Sequence, residues 1–125
     1  MKRSTFLWLS FATTASLGLP VVSCKSRDTA LQKTLAQPQL LSHICDEKTL
    51  KENGKAYRQK QPAEDNANKL QDLLTRNYPN QQPEQWHARL EQQIKKDFET
   101  ADMVVVQGWI LSTTEARQCA LFSLL

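Results

Sequence analysis

Apolar residues recur along most of this chain with the period of an α-helix, and along one stretch without it. From Thr29 to Gln37, Leu31 and Leu35 fall on one face, and Pro38 ends the pattern. Pro38 also suits the first turn of a second helix carrying Leu40, Leu41 and Ile44. Asp46 stands where an N-cap belongs, ahead of a segment in which Leu50, Gly54 and Tyr57 share a face and which Pro62 closes. A glycine inside a helix costs about 1 kcal/mol relative to alanine. Gly54 on the apolar face therefore predicts a close approach by another helix. Residues 65–78 form a further helix, with Ala67, Leu70, Leu73, Leu74 and Tyr78 as its stripe. After a turn rich in Asn, Gln and Pro over 77–83, Pro83 opens the clearest helix, which runs to about Thr100. Trp86, Leu90, Ile94 and Phe98 recur there every four residues, and Glu84, Glu91, Asp97 and Glu99 read as a solvated face.

From Met103 to Leu111 the period disappears. Val104, Val105 and Val106 are β-branched, and Gly108, Trp109 and Ile110 follow, which predicts an extended segment. One strand alone makes no sheet, so this segment needs a partner strand or a groove. Ser112 and Glu115 then have the spacing of a capping box, and a last helix places Ala116, Cys119, Ala120 and Leu121 inward. The expected fold is mostly α: a small helical domain over residues 29–125, with one short extended segment at about 103–111 before a capped C-terminal helix. Two readings of the extended segment stand side by side. Residues 104–110 offer an exposed edge to a partner by strand addition, or Trp109 and the valines belong to the core, which the modest apolar supply elsewhere favours. Phe122, Leu124 and Leu125 are harder to bury in so small a domain. Together with Trp109 they are the candidate contacts to a protein partner.

The first 24 residues follow a different pattern. Lys2 and Arg3 start the chain, an apolar run diluted by Ser and Thr covers Phe6 to Leu19, and Val21-Val22-Ser23-Cys24 closes it. That order is an export signal over residues 1–23. The apolar run falls short of the roughly 20 residues that span a bilayer. Val21 to Cys24 resembles the bacterial lipobox, which implies that Cys24 is lipidated and that residues 24–28 are a tether. The competing reading is an ordinary cut nearby, with Cys24 a plain thiol. Lys25 follows the Cys, and by resemblance to Gram-negative lipoproteins this argues against retention in the inner membrane. The expected place is a membrane surface facing the periplasm, the outer membrane in a Gram-negative cell. Lys2-Arg3-Ser4-Thr5-Phe6-Leu7 also looks like a twin-arginine signal, but with Lys for the first Arg and one residue too many before Phe6.

Charge narrows the partners. The chain has 16 basic and 13 acidic residues, and losing residues 1–24 removes two bases and no acid, so the remainder carries a formal charge of +1. No basic stripe suggests nucleic acid. Cys45 and Cys119 remain after Cys24. In an oxidising compartment an even pair reads as a disulfide, while two buried free thiols are the alternative.

Catalytic chemistry has no foothold. No nucleophile elbow surrounds a serine, and Ser112 is accounted for as a cap. His43, Cys45, Cys119 and His87 are the most concrete cluster for a zinc site, yet His43-x-Cys45 is tighter than the usual ligand spacing and His87 lies in a polar patch. No catalytic residue, metal or cofactor is therefore assigned.

Gly54-x-x-Tyr57, Pro62-x-Glu64, Asp97-Phe98, the block Gly108-Trp109-Ile110-Leu111-Ser112-x-Thr114-Glu115-Ala116 and Cys119-Ala120-Leu121 form a set. It resembles that of small exported bacterial proteins that often carry twin-arginine-like signals. The resemblance implies export and a shared fold, and no activity. The expected role is a non-catalytic binding or accessory module, held at a membrane by an N-terminal lipid and contacting a protein partner. The alternative is an accessory subunit or maturation factor of an exported oxidoreductase.

Overall fold

A computed structural model describes residues 29–125. The signal and tether assigned to residues 1–28, Cys24 included, lie outside the described residues. Residues 29–35 are helical (α1), and Pro38 is buried where that helix has ended. There follow α2 (Leu41–Ile44), α3 (Glu47–Lys60), a 3-10 turn (Pro62–Glu64), α4 (Ala67–Thr75), a 3-10 turn (Pro83–Gln85) and α5 (Trp86–Glu99). Strands β1 (Met103–Val106) and β2 (Trp109–Ser112) then lead into α6 (Thr113–Leu124). The domain is mostly α, with a capped C-terminal helix, as the apolar periodicity predicts.

Local chemistry sets the boundaries. The Asp46 carboxylate accepts from the Thr49 amide at 2.8 Å and starts α3. Asn66 does the same for α4 through the Lys69 amide, so that helix is shorter than the 65–78 stripe. Pro83 opens a 3-10 turn rather than α-helix, and α5 proper begins at Trp86.

α6 is the central element. It packs on α3, α4, α5 and the hairpin, and Ala116, Cys119, Ala120 and Leu121 are fully buried. Leu35, Leu50, Tyr57, Leu70, Leu90, Val106 and Leu111 join them in one apolar cluster. The expected close helix contact is at Gly54, where a Cβ would overlap the Cys119 carbonyl and lie 2.8 Å from the Ala120 nitrogen.

Four expectations need correction. The segment 103–111 is not a single strand seeking an outside partner but a complete hairpin. β1 and β2 pair antiparallel, Val106 opposite Trp109 and Val105 opposite Ile110. Gln107 and Gly108 turn the chain with φ of 49° and 81°, both left-handed, as a two-residue type I′ loop requires. The helix after Pro38 shrinks to four residues, burying Leu41 while Leu40 and Ile44 are 63% and 67% exposed. On α5 the apolar stripe ends at Ile94: Phe98 is 44% exposed, and its neighbour Asp97 is buried. Asp97 therefore leaves the solvated face to Glu84, Glu91 and Glu99, because its carboxylate is drawn in by the start of α6.

Candidate functional site

The buried polar residues converge on α6. Its first turn is capped several times over. The Ser112 hydroxyl accepts from the Glu115 amide at 3.0 Å, and the Glu115 carboxylate accepts from the Ser112 amide at 3.1 Å. Asp97 reaches across from α5 to accept from the Thr114 amide at 2.9 Å, while Gln93 donates to its other oxygen at 2.9 Å. The Thr113 hydroxyl donates to the Asp102 carboxylate at 2.6 Å. The amides of Thr113, Thr114 and Glu115, which a helix start leaves unpaired, are thus satisfied by the Asp102 carbonyl, Asp97 and Ser112. Carboxylates also favour this positive end of the helix dipole. Burial pushes the Glu115 carboxyl above its ordinary value, against the pull of its bonds with Ser112, and nearby Asp97 adds to the rise.

A second cluster fastens the middle of α6. Arg117 donates to both Glu64 oxygens, at 3.0 and 3.2 Å, and the Tyr57 hydroxyl donates to Glu64 at 2.8 Å. Burial alone would raise the Glu64 carboxyl, but the bonds from Arg117 and Tyr57 outweigh it and hold the group below its usual range. Burial, followed by the bond to Glu64, pushes the Tyr57 phenol up to about 12. The cluster thereby ties α3 and the 3-10 turn at Pro62–Glu64 to α6. Further along α6, Gln118 donates to the carbonyls of Leu35 at 2.9 Å and Gln37 at 3.4 Å, closing the end of α1. Asn53 on α3 is buried at 1% exposure, and neither atom of its amide has a partner among the described residues.

Cys45 is half-buried and Cys119 fully buried, and both are free thiols. Burial, then the neighbouring Glu115 and Cys45, pushes the Cys119 thiol up to about 12, and burial raises Cys45 as well. His43 is exposed and His87 half-buried. Among the described residues no three His, Cys, Asp or Glu side chains stand close enough to share a metal ion.

A groove of about 510 Å³ runs between α3 and the end of α6. Lys48, Lys51, Lys55 and Arg58 line it with Glu47, Glu52 and Ser123. Its one hydroxyl is already committed, since Ser123 donates to the Ala120 carbonyl at 2.7 Å and accepts from Arg58 at 3.0 Å.

The residues expected to meet a partner divide. Trp109 is half-buried and packs on the core. Phe122 does so too, with the Lys51 ammonium 5.3 Å from its ring centre. Leu124 and Leu125 are 37% and 48% exposed. Sequence reading passed over the outer face of the hairpin, where Met103, Val105 and Ile110 are 41%, 53% and 64% exposed. The available signal was the run Met103-Val104-Val105-Val106 opposite Trp109-Ile110-Leu111. β1 is apolar at all four positions, so its outward side chains are apolar as well as those that meet the core.

No family model matches the chain, and neither a curated protein nor a solved structure is significantly similar to it.

Proposed function

We propose that this chain is a non-catalytic accessory module. It is exported, anchored at a membrane through lipid on Cys24, and contacts another protein through the outer face of its hairpin. The observation that carries the reading is the hairpin itself. Val105 and Ile110 sit directly opposite each other, both more than half exposed, and with Met103 they form an apolar outer face. The rest of the molecule supports a structural rather than a chemical role. Tyr57, Glu64, Asp97, Ser112, Glu115 and Arg117 are bonded to one another or to the start of α6. No helix of the described residues is long and apolar enough to cross a membrane; the anchor in this account is the lipid on Cys24.

The test is to replace Val105 and Ile110 with Lys in the cell. These side chains face outward, so the melting temperature should hold within a few degrees while the chain's complexes, isolated from the membrane fraction, are lost. Complexes that survive both changes would exclude the hairpin as the contact.

A second reading, an accessory subunit or maturation factor of an exported oxidoreductase, draws on the twin-arginine look of Lys2 to Leu7. It requires that deleting this chain lower an exported dehydrogenase activity. An unchanged activity across such enzymes would remove it.

A further inference from the structure

Asn53 and Gly54 are the chain's only Asn-Gly pair, and they fall in the middle of α3, both buried. This dipeptide carries its own chemistry. The Gly nitrogen attacks the Asn side-chain carbon Cγ, closes a five-membered succinimide ring and expels ammonia. Water then opens the ring at either carbonyl and leaves aspartate or its β-linked isomer. Water is the sole co-reactant, and nothing is oxidised or reduced. Glycine favours the attack because it has no Cβ to crowd the nitrogen and its backbone turns freely.

The fold closes this route. Within α3 the Gly54 amide donates to the carbonyl four residues back. Ring closure needs that nitrogen to leave the ladder and swing onto the Asn53 side chain. Asn53 is 1% exposed, which keeps out the water that the second step consumes. The side chain is nonetheless not fastened, since neither Oδ1 nor Nδ2 has a hydrogen-bond partner among the described residues. Its surroundings therefore accept a neutral group and offer nothing to a charged one. A carboxylate in the same place would be buried without a donor or a cation, which costs far more than an unbonded amide. The β-linked isomer would also lengthen the backbone beside Gly54, where even a Cβ would overlap the Cys119 carbonyl.

We propose that Asn53-Gly54 is a spontaneous deamidation site that the native fold keeps shut: the unfolded chain reacts, and its product does not regain the contact between α3 and α6. The site acts as a one-way mark on chains that stay unfolded. It is independent of the lipid and of any partner, and so goes beyond the accessory role.

Incubating the purified mature chain in warm, mildly alkaline buffer, with and without unfolding concentrations of guanidinium chloride, tests it. Peptide mapping follows the gain in mass as the amide NH2 becomes OH. The peptide containing Asn53 should convert in guanidinium, and roughly a hundredfold more slowly in the native chain, where reaction waits for α3 to open. In guanidinium Asn53→Gln, which would have to close a less favourable six-membered ring, should keep its amide, and this comparison holds whether or not the variant folds. After the guanidinium is diluted away, the unconverted fraction should regain the wild-type thermal transition and the converted fraction should not. Asn53→Asp, the α-linked product made directly, should melt well below wild type at neutral pH. An unfolded chain that keeps its Asn53 amide, a native chain that converts as fast as the unfolded one, or an Asn53→Asp chain that melts with wild type overturns the proposal.

Discussion

At the residue scale, Gly54 is the tightest point of the molecule. A methyl group there would meet backbone rather than a movable side chain, so α3 and α6 would have to part. Overpacking of this kind costs about 1–3 kcal/mol, which outweighs the roughly 1 kcal/mol that alanine gains in a helix. Gly54→Ala should therefore lower the urea midpoint, and an unchanged or raised midpoint would mean that the crossing is looser than described. Glu115 gives a pH signature. Its carboxyl is raised in the folded state, so its favourable contribution is complete below the ordinary carboxylate range and is lost as pH rises through the folded value. Glu115→Gln retains an acceptor for the Ser112 amide without the buried charge. It should melt higher than wild type at pH 7, and the gap should close by about pH 4. Glu64 works in the opposite sense: its lowered carboxyl stabilises at neutral pH and ceases to do so as pH falls through the lowered value. The cysteines add a third test. Cys119 is buried and its thiol protonated, so native alkylation should modify Cys45 and spare Cys119 until the protein is unfolded. An intact mass two hydrogens short, with neither thiol reactive before reduction, would mean that the pair is bridged.

At the element scale, the hairpin and its capped helix behave as one unit. Gln107 takes a left-handed conformation that asparagine adopts more readily ahead of glycine. Gln107→Asn should raise the melting temperature by a few degrees, while Gln107→Val, β-branched at positive φ, should lower it. This unit also shows what was legible and what was not. The capping box at Ser112 and Glu115 could be read because it is local, two residues within a four-residue span that satisfy each other. Gly54 could be read because an unfavourable residue on an apolar face demands a reason. The hairpin was missed because Gln-Gly is a weak turn signal, and a run apolar at every position shows no alternation to count. Asp97 was misplaced because its partner is 17 residues away. A charged residue beside a helix stripe looks solvated until the amide it caps is brought next to it. Gln118, which closes α1 from more than 80 residues away, is the same case at greater distance.

At the scale of the whole molecule, the chain spends its buried polar groups on positioning α6 and leaves apolar surface on the hairpin. Most of the motif residues picked out in the sequence fall within that frame. Gly54 and Cys119 make the helix crossing, Glu64 accepts from both Tyr57 and Arg117, and Asp97, Ser112 and Glu115 start α6. These roles are positional, and the proposed function rests instead on where the chain is placed. The account therefore depends most on placement, at Cys24. Metabolic labelling with a palmitate analogue, followed by membrane fractionation, measures it directly. The account predicts label on the wild-type chain in the membrane fraction, and none on Cys24→Ser, which leaves that fraction or stays there with its signal uncleaved. A wild-type chain that carries no label and fractionates as a soluble protein would contradict it.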